Sequence, residues 1–149
     1  QTGNGRCLFA GSCVGWPGAM NFSHLNHVNQ ASDITIGIIS PDGRDGMLQH
    51  AQEFHDAGTP FIFDPGQGMP MFDGKDLMRF ITLASYVTVN DYEAELLQAR
   101  TGKTLTELAK HVQALIVTRG ELGSQIYVDN TMIEIPCAKA TKVIDPTGC

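Results

Sequence analysis

The sequence predicts an α/β domain built on a mostly parallel sheet. Strand-like and helix-like segments alternate between residues 33 and 118, and such alternation is typical of parallel strands joined by helices. Residues 34–39 are largely β-branched and apolar on both sides of the strand, as in strands covered on both faces. Around Asp129 and Asn130 the pattern changes to two short strands and a tight turn. We therefore expect three layers, α/β/α, with an antiparallel hairpin at one edge of the sheet.

Composition and charge limit the kinds of partner that the protein is expected to bind. The chain has 149 residues, of which 42% are hydrophobic and 17% charged, and this fits one domain or a part of one. Its net charge is −6 and its basic residues are scattered, whereas a surface for nucleic acid or anionic lipid needs clustered cations. No apolar run approaches the roughly 20 residues of a membrane span. We expect a cytoplasmic protein without nucleic-acid or membrane partners, and the sequence does not indicate an oligomeric state.

The amino-terminal residues lack a clear pattern. Residues 1–18 contain several glycines and no periodicity, and residue 1 is Gln rather than Met. We interpret residues 1–16 as an irregular or non-native segment. The folded part is then residues 17–149, and we expect it to be a partial domain that begins within a gene.

The middle of the chain predicts three strand-helix units. The first helix carries apolar residues at helical spacing and ends at Gly58, and it is followed by a strand at residues 60–64. After a loop rich in Gly, Pro and Met, Asp73 is placed to cap a second helix. A third strand at residues 86–89 leads into a helix at Asn90. Thr104 and Glu107 then form a capping-box pattern before a fourth strand at residues 114–118.

The carboxyl-terminal part predicts strands without helices. Residues 125–128 and 131–135 form the hairpin, and a last short strand covers residues 142–144.

The Cys and His residues give no complete metal-site pattern. His24 and His27 form an H-x-x-H pair without a third ligand nearby, and we expect them to be exposed or hydrogen-bonded. His50 and His55 are predicted on the solvent side of the first helix. The cysteines form no C-x-x-C pair, which favours free thiols; they are Cys7, Cys13, Cys137 and Cys149.

Polar residues follow the predicted parallel strands, where open α/β sheets bind their ligands. Asp64 follows the second strand, Asn90 and Glu93 follow the third, residues 118–123 follow the fourth, and residues 145–149 follow the last. Each group has a functional and a purely structural interpretation.

Asn90 and Glu93 lie three residues apart at a strand-helix junction. The carboxylate is suited to hold Mg²⁺ directly or through water, because Mg²⁺ prefers oxygen ligands. The structural alternative is a helix start in which Asn90 caps and Glu93 completes a capping box.

Residues 118–123 combine Thr118 with two glycines, Gly120 and Gly123. Glycines let a backbone approach a ligand closely, and exposed amides bind phosphates. The alternative is a strand-to-hairpin turn that needs glycine. The segment is not a Walker A loop, because the chain has no G-K-[ST] sequence. Residues 145–149, with sequence D-P-T-G-C, similarly indicate either an anion-binding turn or a plain turn.

The order of these motifs resembles one family. N-x-x-E, then T-R-G-x-x-G, then a hairpin, then D-P-T-G-C is similar to the carboxyl-terminal half of the ribokinase (phosphofructokinase-B) family of carbohydrate and nucleoside kinases. The resemblance covers residues 17–149. Residues 17–21, 63–67 and 145–149 look most like the bacterial adenosine kinase branch. Gly66 and Gln67 stand where sugar kinases of the family often carry Asn and Arg, which favours a nucleoside as acceptor.

The resemblance implies a ribokinase-like fold and ATP-dependent phosphorylation of a small molecule, the 5′-hydroxyl of adenosine. It implies that Asn90 and Glu93 arrange Mg²⁺ near the phosphates, with Glu93 acting through water. It also implies a monovalent-cation site for K⁺ at Asp145 and a substrate contact at Asn21. The residues that it assigns to the ATP site and the anion hole are Thr118, Gly120, Gly123, Thr147, Gly148 and Cys149.

Two departures from the family pattern affect activity. The catalytic Asp of the family signature would lie two positions beyond Cys149, and the amino-terminal half with its lid has no counterpart in residues 1–16. A base is needed to remove the proton of the attacking hydroxyl. We therefore expect the chain alone to be inactive. The alternatives are a sugar kinase of the same family and a nucleotide-binding domain without catalysis.

Overall fold

A seven-stranded sheet runs through the described part of the computed structural model, which comprises the backbone of residues 6–10 and residues 34–139. The strands lie side by side in chain order, so each strand pairs with the next. The first four pairings are parallel and the last two are antiparallel. The bounds are β1 (Arg6–Ala10), β2 (Ile34–Ile39), β3 (Phe61–Phe63), β4 (Tyr86–Asn90), β5 (Ala114–Thr118), β6 (Ser124–Val128) and β7 (Thr131–Ile135).

Among the described residues, four α-helices connect β2, β3, β4 and β5. They are α1 (Arg44–Asp56), α2 (Gly74–Leu83), α3 (Asp91–Thr101) and α4 (Leu105–Ala109). The predicted α/β class, the mostly parallel sheet and the antiparallel hairpin are confirmed. No helix among these described residues is both long and apolar enough to cross a membrane.

The described helices cover one face of the sheet. In β3, β4 and β5 every second residue is buried, and the buried residues of neighbouring strands lie side by side. One such row is Phe63, Val87 and Leu115. Buried residues of all four helices join the same core cluster. Side chains that point the other way are only partly buried; they include Ile38, Ile62, Thr88, Ile116 and Ile126. The structure therefore describes one of the two expected helical layers.

The helix starts follow the predicted capping chemistry. The side chain of Asp73 accepts hydrogen bonds from the amides of Lys75 and Asp76, and these satisfy two of the unpaired donors at the start of α2. Thr104 and Glu107 form a complete capping box at the start of α4. Gly58, just after α1, has φ +67°, the left-handed conformation that favours glycine.

The hairpin turn also follows the prediction. Asp129 and Asn130 have φ angles of 49° and 60°. Two successive left-handed residues match the twist of the flanking strands, so they make the tight turn between β6 and β7.

Three sequence expectations are corrected by the structure. Residues 6–10 form β1 and pair with β2, so the prediction of an irregular segment is wrong there. The strand is stabilised by hydrogen bonds to β2, and the glycine-rich sequence around it gave no sign of this pairing. The loop after β3 contains a 3₁₀ helix, Gly66–Met71. His50 is buried, at 6% exposure, with its Nδ1 atom 3.5 Å from Oε2 of Glu53, whereas His55 is exposed as expected.

Candidate functional site

The carboxyl ends of β3, β4 and β5 meet at one edge of the sheet, called the rim below. Asp64 follows β3 directly, and its amide donates to the carbonyl of Ile39 at 2.9 Å. Asn90 ends β4 and pairs in register with Thr118, which ends β5. The rim thus brings together three of the polar groups that the sequence placed after separate strands.

Asn90 and Glu93 form a capping box at the start of α3. The Asn90 side chain accepts the Glu93 amide at 2.8 Å, and Oε2 of Glu93 accepts the Asn90 amide at 2.8 Å. The structural interpretation of the motif is therefore present. It fixes a carboxylate that is only 8% exposed at the rim. Within the described part of the chain, no donor is hydrogen-bonded to the second oxygen, Oε1.

Asp64 is the rim residue whose electrostatics the sequence did not reveal. Its carboxyl is half-buried. Burial, and after it the charge of Glu93, raises the pKa of Asp64, while a hydrogen bond from the Gly66 amide lowers it by a smaller amount. The sequence signal was limited to an acidic residue after a buried strand, and the proximity to Glu93 comes from the parallel pairing of β3 and β4.

The raised pKa of Asp64 predicts a pH-dependent cost to stability. The folded protein binds more protons than the unfolded one between the ordinary value of 3.8 and the raised value. The free energy of unfolding therefore falls as pH rises through that interval. Asp64→Asn removes this cost, so its melting temperature should exceed that of the wild type at neutral pH. The difference should disappear when the melts are repeated below pH 3.8.

Asp73→Asn is the matched control for this comparison. Hydrogen bonds from the Asp76 and Lys75 amides lower the pKa of Asp73, so its charged form stabilises the folded state and that stability is lost as pH falls through the lowered pKa. Asp73→Asn should therefore not raise the melting temperature at neutral pH. An Asp64→Asn variant that is less stable than the wild type at neutral pH would contradict the assigned shift.

Thr118 is exposed at the end of β5. Its hydroxyl donates a long hydrogen bond, 3.4 Å, to the carbonyl of Val89. This contact holds the Thr118 side chain against β4, beside Asn90. The hydroxyl therefore lies at the rim, where its lone pairs can accept hydrogen bonds from a polar ligand.

The two glycines after Thr118 have different surroundings. Gly123 has φ +85°, and a Cβ there would collide with the carbonyl of Ile135, so the turn itself requires glycine. Gly120 also has a positive φ, +54°, but a Cβ there would meet nothing within 4 Å. The backbone around Gly120 is thus open to a ligand. A hydrogen bond closes the turn, from the Arg119 amide to the Gly123 carbonyl at 2.8 Å.

The comparison with protein families covers most of the chain. Residues 17–149 match the pfkB family of carbohydrate kinases. The chain belongs to the pfkB family. Its ribokinase-like fold agrees with the sheet and the rim described above, and with the order of motifs in the sequence.

Nucleoside kinases are among the pfkB-family relatives. The chain is 35% identical over 134 residues to a nucleoside kinase of Methanocaldococcus jannaschii, an alignment that covers 89% of this chain and 43% of the relative. It is 54% identical to the Burkholderia thailandensis nucleoside kinase solved in complex with inosine, with a TM-score of 0.80 over 90% of this chain and 45% of that chain. The chain therefore spans less than half the length of these relatives.

More distant solved structures support the fold alone. The ribokinase of Arabidopsis thaliana, solved with ribose and ATP, is 18% identical, with a TM-score of 0.64 over 83% of this chain and 41% of that chain.

The remaining residues that the family resemblance assigned lie outside the described part of the chain. They are Asn21, Asp145, Thr147, Gly148 and Cys149. Their roles in substrate binding, in the ATP site, in the anion hole and in a K⁺ site remain predictions. The rim that the structure describes comprises Asp64, Asn90, Glu93, Thr118 and Gly120.

The chemistry of the rim carboxylates suits Mg²⁺, because this ion prefers oxygen ligands. Within residues 34–139 no group of three or more His, Cys, Asp or Glu side chains is arranged to hold a metal. Mg²⁺ commonly binds through one or two carboxylates and completes its shell with water and substrate phosphates. Asp64 and Glu93 provide two carboxylates; burial and then the charge of Glu93 raise the pKa of Asp64, and a divalent cation held at the rim would offset both effects.

Proposed function

We propose that the protein containing this chain is an ATP-dependent nucleoside kinase that transfers the γ-phosphoryl group to the 5′-hydroxyl of its substrate. Adenosine is the proposed acceptor. The observation that carries the proposal is the rim, where Asp64, the Asn90–Glu93 capping box and the open turn at Gly120 follow adjacent parallel strands. The similarity to two nucleoside kinases supports a nucleoside as acceptor.

The rim residues have distinct roles in this proposal. Mg²⁺ with ATP would supply the phosphoryl group and neutralise its charge. Asp64 and Glu93 would hold the ion on the protein side, and the capping box fixes the orientation of the Glu93 carboxylate. Thr118 and the backbone at Gly120 would contact the phosphates through hydrogen bonds. Phosphoryl transfer depends mainly on positioning and charge stabilisation, which rigid strand ends provide.

The acceptor is tested with the intact gene product. ATP and Mg²⁺ are supplied together with adenosine, inosine, ribose or fructose 6-phosphate, and phosphorylated product is measured by chromatography. We expect adenosine to be phosphorylated with a higher kcat/KM than either sugar. Turnover of the sugars alone would instead favour a sugar kinase. Binding of Mg-ATP without phosphorylation of any acceptor would indicate a nucleotide-binding domain without catalysis.

A further inference from the structure

Arg100 connects α3 to the loop that starts at the rim. This loop, residues 64–73, runs from the end of β3 to the cap of α2 and is called the rim loop here. Nη1 of Arg100 donates to the carbonyl of Met69 at 2.7 Å and to the carbonyl of Phe72 at 2.5 Å. Both residues are about 1% exposed, so a guanidinium from outside the loop supplies donors to a well-buried part of the backbone.

The same end of α3 also packs closely against the start of α2. A Cβ at Gly74 would collide with the carbonyl of Arg100, so the two helix ends approach each other at their backbones. Below the loop, Phe72 packs edge-to-face on Phe80 with ring centroids 5.0 Å apart. The far end of the rim loop is therefore fixed both by packing and by Arg100.

The near end of the rim loop faces the other end of α3. Asp64 starts the loop, and the charge of Glu93, in the first turn of α3, acts on it. Glu93 and Arg100 are seven residues apart, which places them on the same side of the helix and about 10 Å apart along its axis. One side of α3 thus carries the charge that acts on Asp64 at the rim and, two turns further on, the guanidinium that holds the loop near its end.

The rim loop carries Asp64 close to a second negative charge, that of Glu93. Asp64 and Glu93 repel each other when both are ionised. The backbone hydrogen bonds that close the ends of the 3₁₀ turn, Gly68 to Pro65 at 2.8 Å and Phe72 to Met69 at 3.3 Å, both lie within the rim loop. Arg100 adds two hydrogen bonds from outside the loop, so it ties the rim loop to α3.

We propose that Arg100 is a positioning residue of the rim: its hydrogen bonds to the Met69 and Phe72 carbonyls hold the rim loop so that Asp64 and Glu93 can share one divalent cation. The inference rests on the proposed function, because it assumes a cation at the rim. It adds a residue that lies two helical turns from the rim and acts through the loop backbone.

The test measures Mn²⁺ binding to the intact gene product by electron paramagnetic resonance, together with hydrogen exchange of the Gly68 and Phe72 amides. Arg100→Met keeps the length of the side chain and removes its donors. We expect faster exchange at both amides and a Kd for Mn²⁺ that is about tenfold higher, which is the usual effect of losing an outer partner of a metal site. Arg100→Lys should bind Mn²⁺ with an intermediate Kd, because one ammonium cannot reproduce the geometry of the guanidinium.

Two controls make the comparison specific. Arg79→Met removes an exposed guanidinium of α2 that donates to Gln52 and not to the rim loop, so its Kd for Mn²⁺ should equal that of the wild type. Asp64→Asn should weaken Mn²⁺ binding, which shows that the measured ion is at the rim.

The possible outcomes separate the two proposals. If Arg100→Met exchanges its amides faster but binds Mn²⁺ with the Kd of the wild type, the positioning role is overturned. The proposed function is then unaffected. The same holds if Arg79→Met weakens binding as much as Arg100→Met does. A wild type that binds no Mn²⁺ would overturn the positioning role, and the phosphorylation assay would then decide the proposed function on its own. Should Arg100→Met fail to fold by circular dichroism, Arg100→Lys decides: wild-type affinity overturns the role, and weaker binding supports it.

Discussion

Glu93→Gln is expected to lower the kcat of phosphoryl transfer by the intact gene product about 10- to 100-fold, the range for disrupting a group that supports a metal site. The glutamine amide oxygen can still accept the Asn90 amide, so the capping box at the start of α3 persists. Only the negative charge at the rim is lost. Initial rates at saturating adenosine and ATP, measured over a range of Mg²⁺ concentrations, should show a higher Mg²⁺ requirement.

Glu107→Gln provides a matched control for this prediction. Glu107 completes the capping box of α4 with Thr104, but α4 begins after α3 has run back from the rim, and Glu107 is exposed. The same substitution in the same local motif should therefore leave kcat and the Mg²⁺ requirement unchanged. Equal losses in both variants would mean that the cap, and not the rim charge, explains the effect.

Phe63→Ala is expected to lower the free energy of unfolding by about 3–5 kcal/mol, the usual range for truncating a buried phenylalanine. Phe63 is 0% exposed. Its ring stacks on Phe80 with centroids 4.2 Å apart and meets Phe72 edge-on at 6.4 Å. Removing the ring leaves a cavity under β3, directly before Asp64. Urea unfolding of the intact gene product, followed by circular dichroism, measures the change.

Tyr92→Ala is the control for the loss of an aromatic ring. Tyr92 is 63% exposed in the first turn of α3, so its truncation should change the free energy of unfolding by less than about 0.5 kcal/mol. If Phe63→Ala lowered the free energy of unfolding no more than Tyr92→Ala does, the buried aromatic cluster would not stabilise the strand before the rim.

Local sequence signals predicted much of the fold because their physical causes are local. Asp73 and Thr104 satisfy unpaired amides within their own helix turns, and Asp129 and Asn130 adopt the left-handed conformations of a tight hairpin turn. The parallel strands follow from alternation with helices. By contrast, β1 has no periodic pattern of its own, and its pairing with β2 is a long-range contact.

The candidate site was predictable only in part. The motif around Asn90 and Glu93 marks the start of α3, and position after a strand indicated the rim. Two features depend on tertiary placement. Glu93 acts on Asp64 only because β3 and β4 are neighbours, and Arg100 reaches the Met69 carbonyl across 31 positions of sequence. Burial of His50 was also missed, because its helix position alone does not show which side faces the sheet.

The arrangement of all four described helices on one side of the sheet has a consequence for the order in which the protein assembles. Each strand pairs with its neighbours in the chain. The loops that these pairings close are short, so closing them carries a small entropic cost. During synthesis on the ribosome, residues 34–118 can therefore become native-like stepwise as they emerge.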